Sequence, residues 1–169
     1  FSFALGVFGF FAFAEPADAR VELIRGIGSP TVYYLSEDNT RHVFPTQAVY
    51  DSWYKGDFSK VVTVSDEFLG GLPLGKNITM RPGINLVKIT TVPKVYAVGP
   101  GGVLQWVKTE EIAESIWGEG WAKLVRDVPD VFWSDYIIAD PIDNAWDLPD
   151  GIVFKLTGED QIYLKWRGY

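Results

Sequence analysis

Two stretches of the chain alternate apolar and polar residues in the same way. Pro30 to Phe44 reads PTVYYLSEDNTRHVF, and sixty-three positions later Pro93 to Val107 reads PKVYAVGPGGVLQWV. In each, a β-rich run (VYYL, VYAV) meets a turn-forming run (SEDNT, GPGGV) and a second apolar run (RHVF, LQWV). That succession predicts a β-hairpin. An earlier apolar run, VELIR or NLVKI, adds a third strand before each hairpin. Thr46 and Thr109 then stand where a helix N-cap belongs. Val49, Tyr50, Trp53 and Tyr54 match Ile112, Ala113, Ile116 and Trp117 position by position. Each set falls at i, i+1, i+4 and i+5, one amphipathic stripe. Glu110 and Glu111 sit in the first turn of the second helix, where acidic side chains suit the helix dipole. After the helices, KVVTVSDEFLGGLPLG and KLVRDVPDVFWSDYI begin extended. Ser65-Asp66 and Pro129-Asp130 then open a short helical turn.

The match extends well beyond the hairpins. Leu23 aligns with Leu86, Lys60 with Lys123 and Val62 with Val125. A one-residue slip placed after them pairs Val64 with Val128, Asp66 with Asp130, Phe68 with Phe132 and Ile78 with Ile142. A third copy begins at VFKLTGEDQIYL, where Lys155 falls on Lys88 and Tyr163 on Tyr96. The expected fold is α+β: two tandem β-meander-plus-helix repeats and a C-terminal partial β repeat, preceded by an apolar N-terminal segment. The boundaries are 1–19 for that segment and its linker, 20–83 and 84–148 for the repeats, and 149–169 for the partial third. A unit of about 60 residues is marginal alone, so the repeats are expected to share a core.

These residues resemble a tandem module of secreted and envelope-associated bacterial proteins of uncharacterised function. The resemblance rests on Val32-Tyr33, Asp38-Asn39, Arg41, Val64-Ser65-Asp66, Pro73-Leu74-Gly75, Arg81-Pro82-Gly83 and Leu86-Val87-Lys88. It covers about residues 21 to 142, implies a secreted or envelope-associated setting, and supplies no reaction or ligand. The second copy departs from the pattern, with Pro129 for Ser65 and Ile137-Ile138-Ala139 for Pro-Leu-Gly.

Residues 1–14 carry Ser2 as their single polar residue. As a helix they span roughly 21 Å, short of the roughly 30 Å hydrocarbon core of a bilayer. That length fits a signal-peptide h-region, and Ala17-Asp18-Ala19 has the small-x-small form of a cleavage site. Large residues at odd positions and small ones at even positions also fit a strand. The helix is preferred. A retained segment of this kind must be buried in neighbouring subunits or lipid, so Phe1, Phe3, Leu5, Val7, Phe8, Phe10, Phe11 and Phe13 are the candidate assembly residues.

Composition narrows the chemistry. Of 169 residues, 47% are apolar and 15% aromatic, enough for a substantial core. The formal net charge of −7 repels a phosphate backbone, so no nucleic-acid partner is expected. Without cysteine there is neither a disulfide framework nor a thiolate metal site. No P-loop, Rossmann glycine pattern, G-x-S-x-G or H-E-x-x-H occurs. The one histidine, His42, falls in a predicted strand opposite Gln105 of the second copy and reads as a strand residue. Asp140, Asp143, Asp147 and Asp150 form a weak Ca²⁺ candidate in a turn-rich linker, with spacing that matches no EF-hand. Asn77-Ile78-Thr79 is an N-glycosylation sequon. Trp146 and Trp166 are the candidate glycan contacts, while Trp53, Trp106 and Trp117 are expected in the core.

The expectation is a non-enzymatic structural subunit of an extracellular or cell-surface assembly, without cofactor. Copies of the chain would associate through the apolar N-terminus and an open β edge. The alternative is a surface-tethered adhesion or polysaccharide-binding module, with membrane lipid or surface polysaccharide as partner.

Overall fold

The computed structural model describes residues 22–156 and 158–165. Eleven strands form three sheets within a mixed α+β fold. The first sheet holds β1 (Leu23–Gly26), β2 (Tyr33–Leu35), β3 (Arg41–Val43) and β4 (Val61–Val64), in the order β3-β2-β1-β4. Helix α1 (Gln47–Tyr54) links β3 to β4, and α2 (Asp66–Gly71) follows. The second sheet holds β5 (Leu86–Lys88), β6 (Tyr96–Val98), β7 (Val103–Val107), β8 (Val125–Asp127) and β9 (Ile137–Ile142), with helix α3 (Glu110–Trp117) between β7 and β8. Strands β10 (Val153–Lys155) and β11 (Ile162–Leu164) form a separate hairpin.

The strand register carries the repeat. Leu23 pairs with Tyr34 and Ile24 with Tyr33; Leu86 pairs with Ala97 and Val87 with Tyr96; Val153 pairs with Leu164 and Phe154 with Tyr163. A one-residue slip would turn every side chain to the other face, so three matching registers mean three copies with matching faces. The parallel partner of each first strand also repeats, β4 beside β1 and β8 beside β5. Strand β9 lies parallel on β7, with Leu104 opposite Ile138. Its counterpart in the first repeat is a lone parallel bridge, Arg41 to Leu74, flanked by backbone bonds from Arg41 to Pro73 and from Gly75 to Arg41.

The helix starts follow from side-chain chemistry. The Thr46 and Thr109 hydroxyls accept from the backbone N–H of Val49 and Ile112, satisfying one orphan donor in each first turn. Ser65 does the same for Phe68 at the start of α2. In the second repeat, Pro129 has no hydroxyl to offer, and residues 130–135 form a 3₁₀ turn in place of an α-helix.

The alignment needs one correction. Leu23 faces Val61 and Leu86 faces Val125, so Val61, not Val62, is the partner of Val125. The extra residue therefore lies between helix and strand, where Gly118-Glu119-Gly120 replaces the left-handed Lys55-Gly56 turn.

One core runs through both repeats. It joins Leu23, Val32, Phe44, Val49, Tyr50 and Met80 to Val87, Val98, Leu104, Val128 and Tyr136. Leu23 and Val32 face α1 on their own sheet, whereas Val87, Val98 and Leu104 lie on the opposite face of the second sheet. A smaller cluster, Leu86, Ala97, Val107, Ala113 and Ile142, packs α3 on the remaining face. Polar groups cross the same seam. The Tyr136 hydroxyl accepts from the Met80 N–H at 3.1 Å, and the Asn77 amide donates to Asp135 at 2.9 Å. Ser52, buried on α1, accepts from the Arg81 N–H at 3.0 Å.

Two glycines mark close approaches. A Cβ on Gly26 would strike Asp66 and Leu69, so Gly26 is what lets α2 lie against β1. A Cβ on Gly83, at φ +75°, would collide with the Gly151 carbonyl where the third copy meets the end of the first.

Tyr136→Phe leaves the buried Met80 N–H without its acceptor. The expected cost is about 1–3 kcal/mol, a fall in Tm of about 3–10 °C, measurable by thermal denaturation; an unchanged Tm would show that the seam does not rely on this bond. Burial holds the hydroxyls of Tyr50, Tyr54 and Tyr136 above their ordinary value of 10.0. The folded state therefore keeps these protons longer than the unfolded chain. That contribution to stability is whole below about pH 10 and falls as pH rises past the ordinary phenol value. Tm measured across the alkaline range should decline there, and less steeply in Tyr136→Phe.

Candidate functional site

Each repeat opens a groove at the same place, between the segment before its second strand and the start of its main helix. The first, about 410 Å³, is lined by Pro30, Val32, Phe44, Thr46, Gln47 and Phe58, among others. The second, about 260 Å³, is lined by Pro93, Val95, Val107, Thr109, Glu110 and Trp121, among others. All six of these pairs stand sixty-three positions apart, from Pro30 and Pro93 to Phe58 and Trp121. The grooves thus repeat with the fold, since two strand ends and a helix start cannot close against one another there. Their walls differ. Phe58 stacks on Tyr50 with centroids 4.4 Å apart in the first. In the second, the Lys94 ammonium sits 4.3 Å from the Trp106 ring centroid, a cation–π contact. No signal local in sequence announces either groove, because each is walled by residues from separate strands and a helix.

The tryptophans divide by surroundings. Trp117 and Trp121 pack on the second cluster, and Trp133 packs on the shared core beside Tyr96 and Tyr136. Trp53, expected in the core, is 37% exposed and donates its indole N–H to the Thr79 carbonyl at 2.8 Å. Trp146 is 91% exposed. It sits on a loop longer than its counterpart: the first repeat has Thr79-Met80-Arg81 with Met80 buried, and the second has residues 143–148 in that place. The other candidate glycan contact, Trp166, lies outside the described residues, as do the candidate assembly residues Phe1, Phe3, Leu5, Val7, Phe8, Phe10, Phe11 and Phe13.

The four aspartates considered for Ca²⁺ take separate partners. Asp143 pairs with Lys108 at 3.2 Å, which together with the Asn144 amide holds its carboxyl below the ordinary value. Asp147 accepts from the Asn144 amide, and Asp150 lies 3.8 Å from Lys165. Asp140 contributes its backbone carbonyl to Gln105 at 3.3 Å. Among the described residues, no group of three carboxylate or imidazole side chains is placed to hold a metal ion. The sequon residue Asn77 uses its amide on Asp135, tying the edge of the first repeat to the second.

His42 Nδ1 lies 2.9 Å from the Lys76 carbonyl. Gln105, its counterpart, donates to the carbonyl of Asp140, the counterpart of Lys76. An imidazole and an amide thus make the same strand-to-edge bond. The ring beside His42 is Tyr34, with centroids 6.4 Å apart.

The hairpin β10–β11 presents a further surface. Val153, Ile162 and Leu164 are 62%, 71% and 59% exposed, whereas Leu23, Val32, Leu86 and Ala97 at matching positions are 2%, 6%, 0% and 1% exposed. No family model, no curated protein and no solved structure matches the chain.

His42→Gln should leave the fold intact, because glutamine at the matching position already makes the same bond. The expected change is within about 0.5 kcal/mol, or about 1–2 °C in Tm. Loss of assembly or binding by a fully folded His42→Gln protein would instead assign the imidazole a chemical role.

Proposed function

We propose that the chain is a non-enzymatic structural subunit of an extracellular or cell-surface assembly, and that copies of it associate. The observation that carries this reading is the unfilled edges of β10–β11. In the first two copies the matching edges are occupied by β4 and β3, and by β8 and β7. Among the described residues, nothing pairs with either outer edge of the third. Open strand edges take up further strands, because unpaired N–H and C=O groups gain partners by doing so. The apolar run at residues 1–14 supports the same reading, since side chains of that kind need burial. The resemblance to envelope-associated modules supports the location. Among the described residues no helix is long and apolar enough to cross a membrane.

The second reading, a polysaccharide-binding adhesion module, is favoured by one observation of its own. Two aromatic-walled grooves repeat along the fold, and Trp146 stands free beside the second repeat. Aromatic faces of this kind stack on apolar ligand surfaces, and two sites on one body bind a repetitive chain with avidity.

Electron microscopy of the purified full chain should show a regular polymer. Deleting residues 1–14 should give a monomer with an unchanged Tm. A full chain that stays monomeric at every concentration would end the assembly reading. A truncated chain that still polymerises would leave the contacts to the strand edges alone.

A further inference from the structure

A third cleft, of about 610 Å³, opens along the seam where the two repeats meet. That volume lies within the roughly 300–1,000 Å³ of small-ligand sites. Trp53, Lys76, Asn77 and Thr79 line it from the first repeat, and Ser134 and Asp135 from the second. The bond from the Trp53 indole N–H to the Thr79 carbonyl, at 2.8 Å, holds the ring as a fixed plate, with 37% of the residue exposed. The Arg81 guanidinium lies over the same ring, 5.9 Å from its centroid. Among the described residues, no carboxylate stands within ion-pair distance of Lys76 or Arg81. Asp135 is the one carboxylate of the lining among those residues, and it accepts from the Asn77 amide at 2.9 Å. Two cations against one carboxylate make this place positive on a chain of net charge −7. The second copy does not repeat the set. Ile116 stands where Trp53 stands and packs on the α3 cluster, while Asp140 and Pro141 stand for Lys76 and Asn77. The combination therefore exists once, at the seam.

We propose that the seam cleft binds an acidic sugar, a uronic-acid unit of an oligosaccharide or polysaccharide. The apolar C–H face of the sugar ring lies against Trp53, the kind of surface that aromatic faces accept. Its carboxylate goes to Lys76 and Arg81, a guanidinium being matched to a carboxylate by two parallel hydrogen bonds. The Asn77 amide and the Thr79 and Ser134 hydroxyls both donate and accept, as sugar hydroxyls require. A bare inorganic anion would use the cations and leave the aromatic plate idle. Nucleic acid is disfavoured by the net charge of the chain. Residues 1–14 match the cleft poorly, since Ser2 is their single polar residue. The inference gives the second reading above a site and a sugar class and rests on that reading; it stands whether or not the chain also self-assembles.

The test is isothermal titration calorimetry of the full chain with hexagalacturonate, and with cellohexaose as its uncharged counterpart. Hexagalacturonate should bind saturably, and cellohexaose about tenfold or more weakly. Lys76→Glu should weaken hexagalacturonate binding by about tenfold or more, and Lys76→Arg should keep it within about threefold. Lys76 is exposed, so both variants should keep their Tm. Trp53→Ala should weaken binding to the same degree as Lys76→Glu. Lys60→Glu, at an exposed lysine outside the lining, should leave it within about twofold. Circular dichroism checks that each variant stays folded, and deleting residues 1–19 should not change the affinity. Absence of saturable hexagalacturonate binding, equal binding of cellohexaose, or equal effects of Lys76→Glu and Lys60→Glu would each overturn the proposal. So would displacement by equimolar inorganic phosphate, which reduces the cleft to an anion site. So would binding that appears only after residues 1–19 are removed, which assigns the cleft to the chain's own N-terminal segment. Binding lost in Trp146→Ala but kept in Trp53→Ala ends this site and leaves polysaccharide binding standing, whereas no binding of either sugar counts against both.

Discussion

The second sheet has two apolar faces and one helix. Helix α3 covers the Leu86 face, and the Val87–Val98–Leu104 face is closed by the first repeat. Everything else in the fold depends on that closure. Burying a side chain such as valine or leucine stabilises by about 1.5–3 kcal/mol, so leaving three or more exposed would cost a large part of the stability of so small a unit. A unit of about 60 residues buries too little surface to stand securely alone. The shared core therefore turns two marginal units into one body. The buried bond from Met80 to Tyr136 and the Asn77–Asp135 contact fix the rotation between them, because directional bonds tolerate little sliding.

That dependence makes the array directional. The first sheet also has a second face, yet the chain treats it differently. Arg41 stands where Leu104 is buried, and its guanidinium lies 5.3 Å from the Tyr33 ring centroid. Ile24, the counterpart of Val87, is sheltered where α2 comes down onto β1 with Leu69 buried beside it. Gly26 permits that approach, and its counterpart in the second repeat, Ile89, would not. In the second repeat a 3₁₀ turn replaces α2, and the first repeat does the covering. That face of the first sheet is thus occupied by its own side chains and by α2, where the matching face of the second sheet is closed by the neighbouring repeat. The helix side of α3 shows the opposite condition. Ser52 is buried on α1 against the Arg81 backbone, and its counterpart Ser115 is exposed.

The repeat was legible because strand, turn and helix signals all recur with one spacing. Paired Val-Tyr strands, turn residues and threonine caps are local features, and local features survive in sequence. The slip between helix and strand was misplaced for an equally physical reason. Val61 and Val62 are alike in spelling and opposite in facing, so only pairing with β1 distinguishes them. Helical spacing alone turns Trp53 inward, but the Thr79 carbonyl draws its indole toward the seam and leaves the ring partly exposed. The acidic run looked like a ligand set because four aspartates crowd eleven positions. Lysines from just beyond β7 and just beyond β11 reach two of them, and neither strand is near in sequence. The grooves and the uncovered face were invisible for the same reason, since each exists only once distant segments meet.

What two copies keep, and what they let change, bears on function more than any single residue. A catalytic histidine cannot be exchanged for glutamine without losing its proton chemistry. Here the exchange between His42 and Gln105 retains a hydrogen bond to the matching edge carbonyl and nothing else. Pro30 and Pro93, Thr46 and Thr109, and the strand registers are likewise kept for geometry. The variation falls on surfaces: the groove walls, the loop that carries Trp146, and the face of the third hairpin. A chain built in this way holds the geometry of each copy fixed and varies the shape and contact area that each copy exposes.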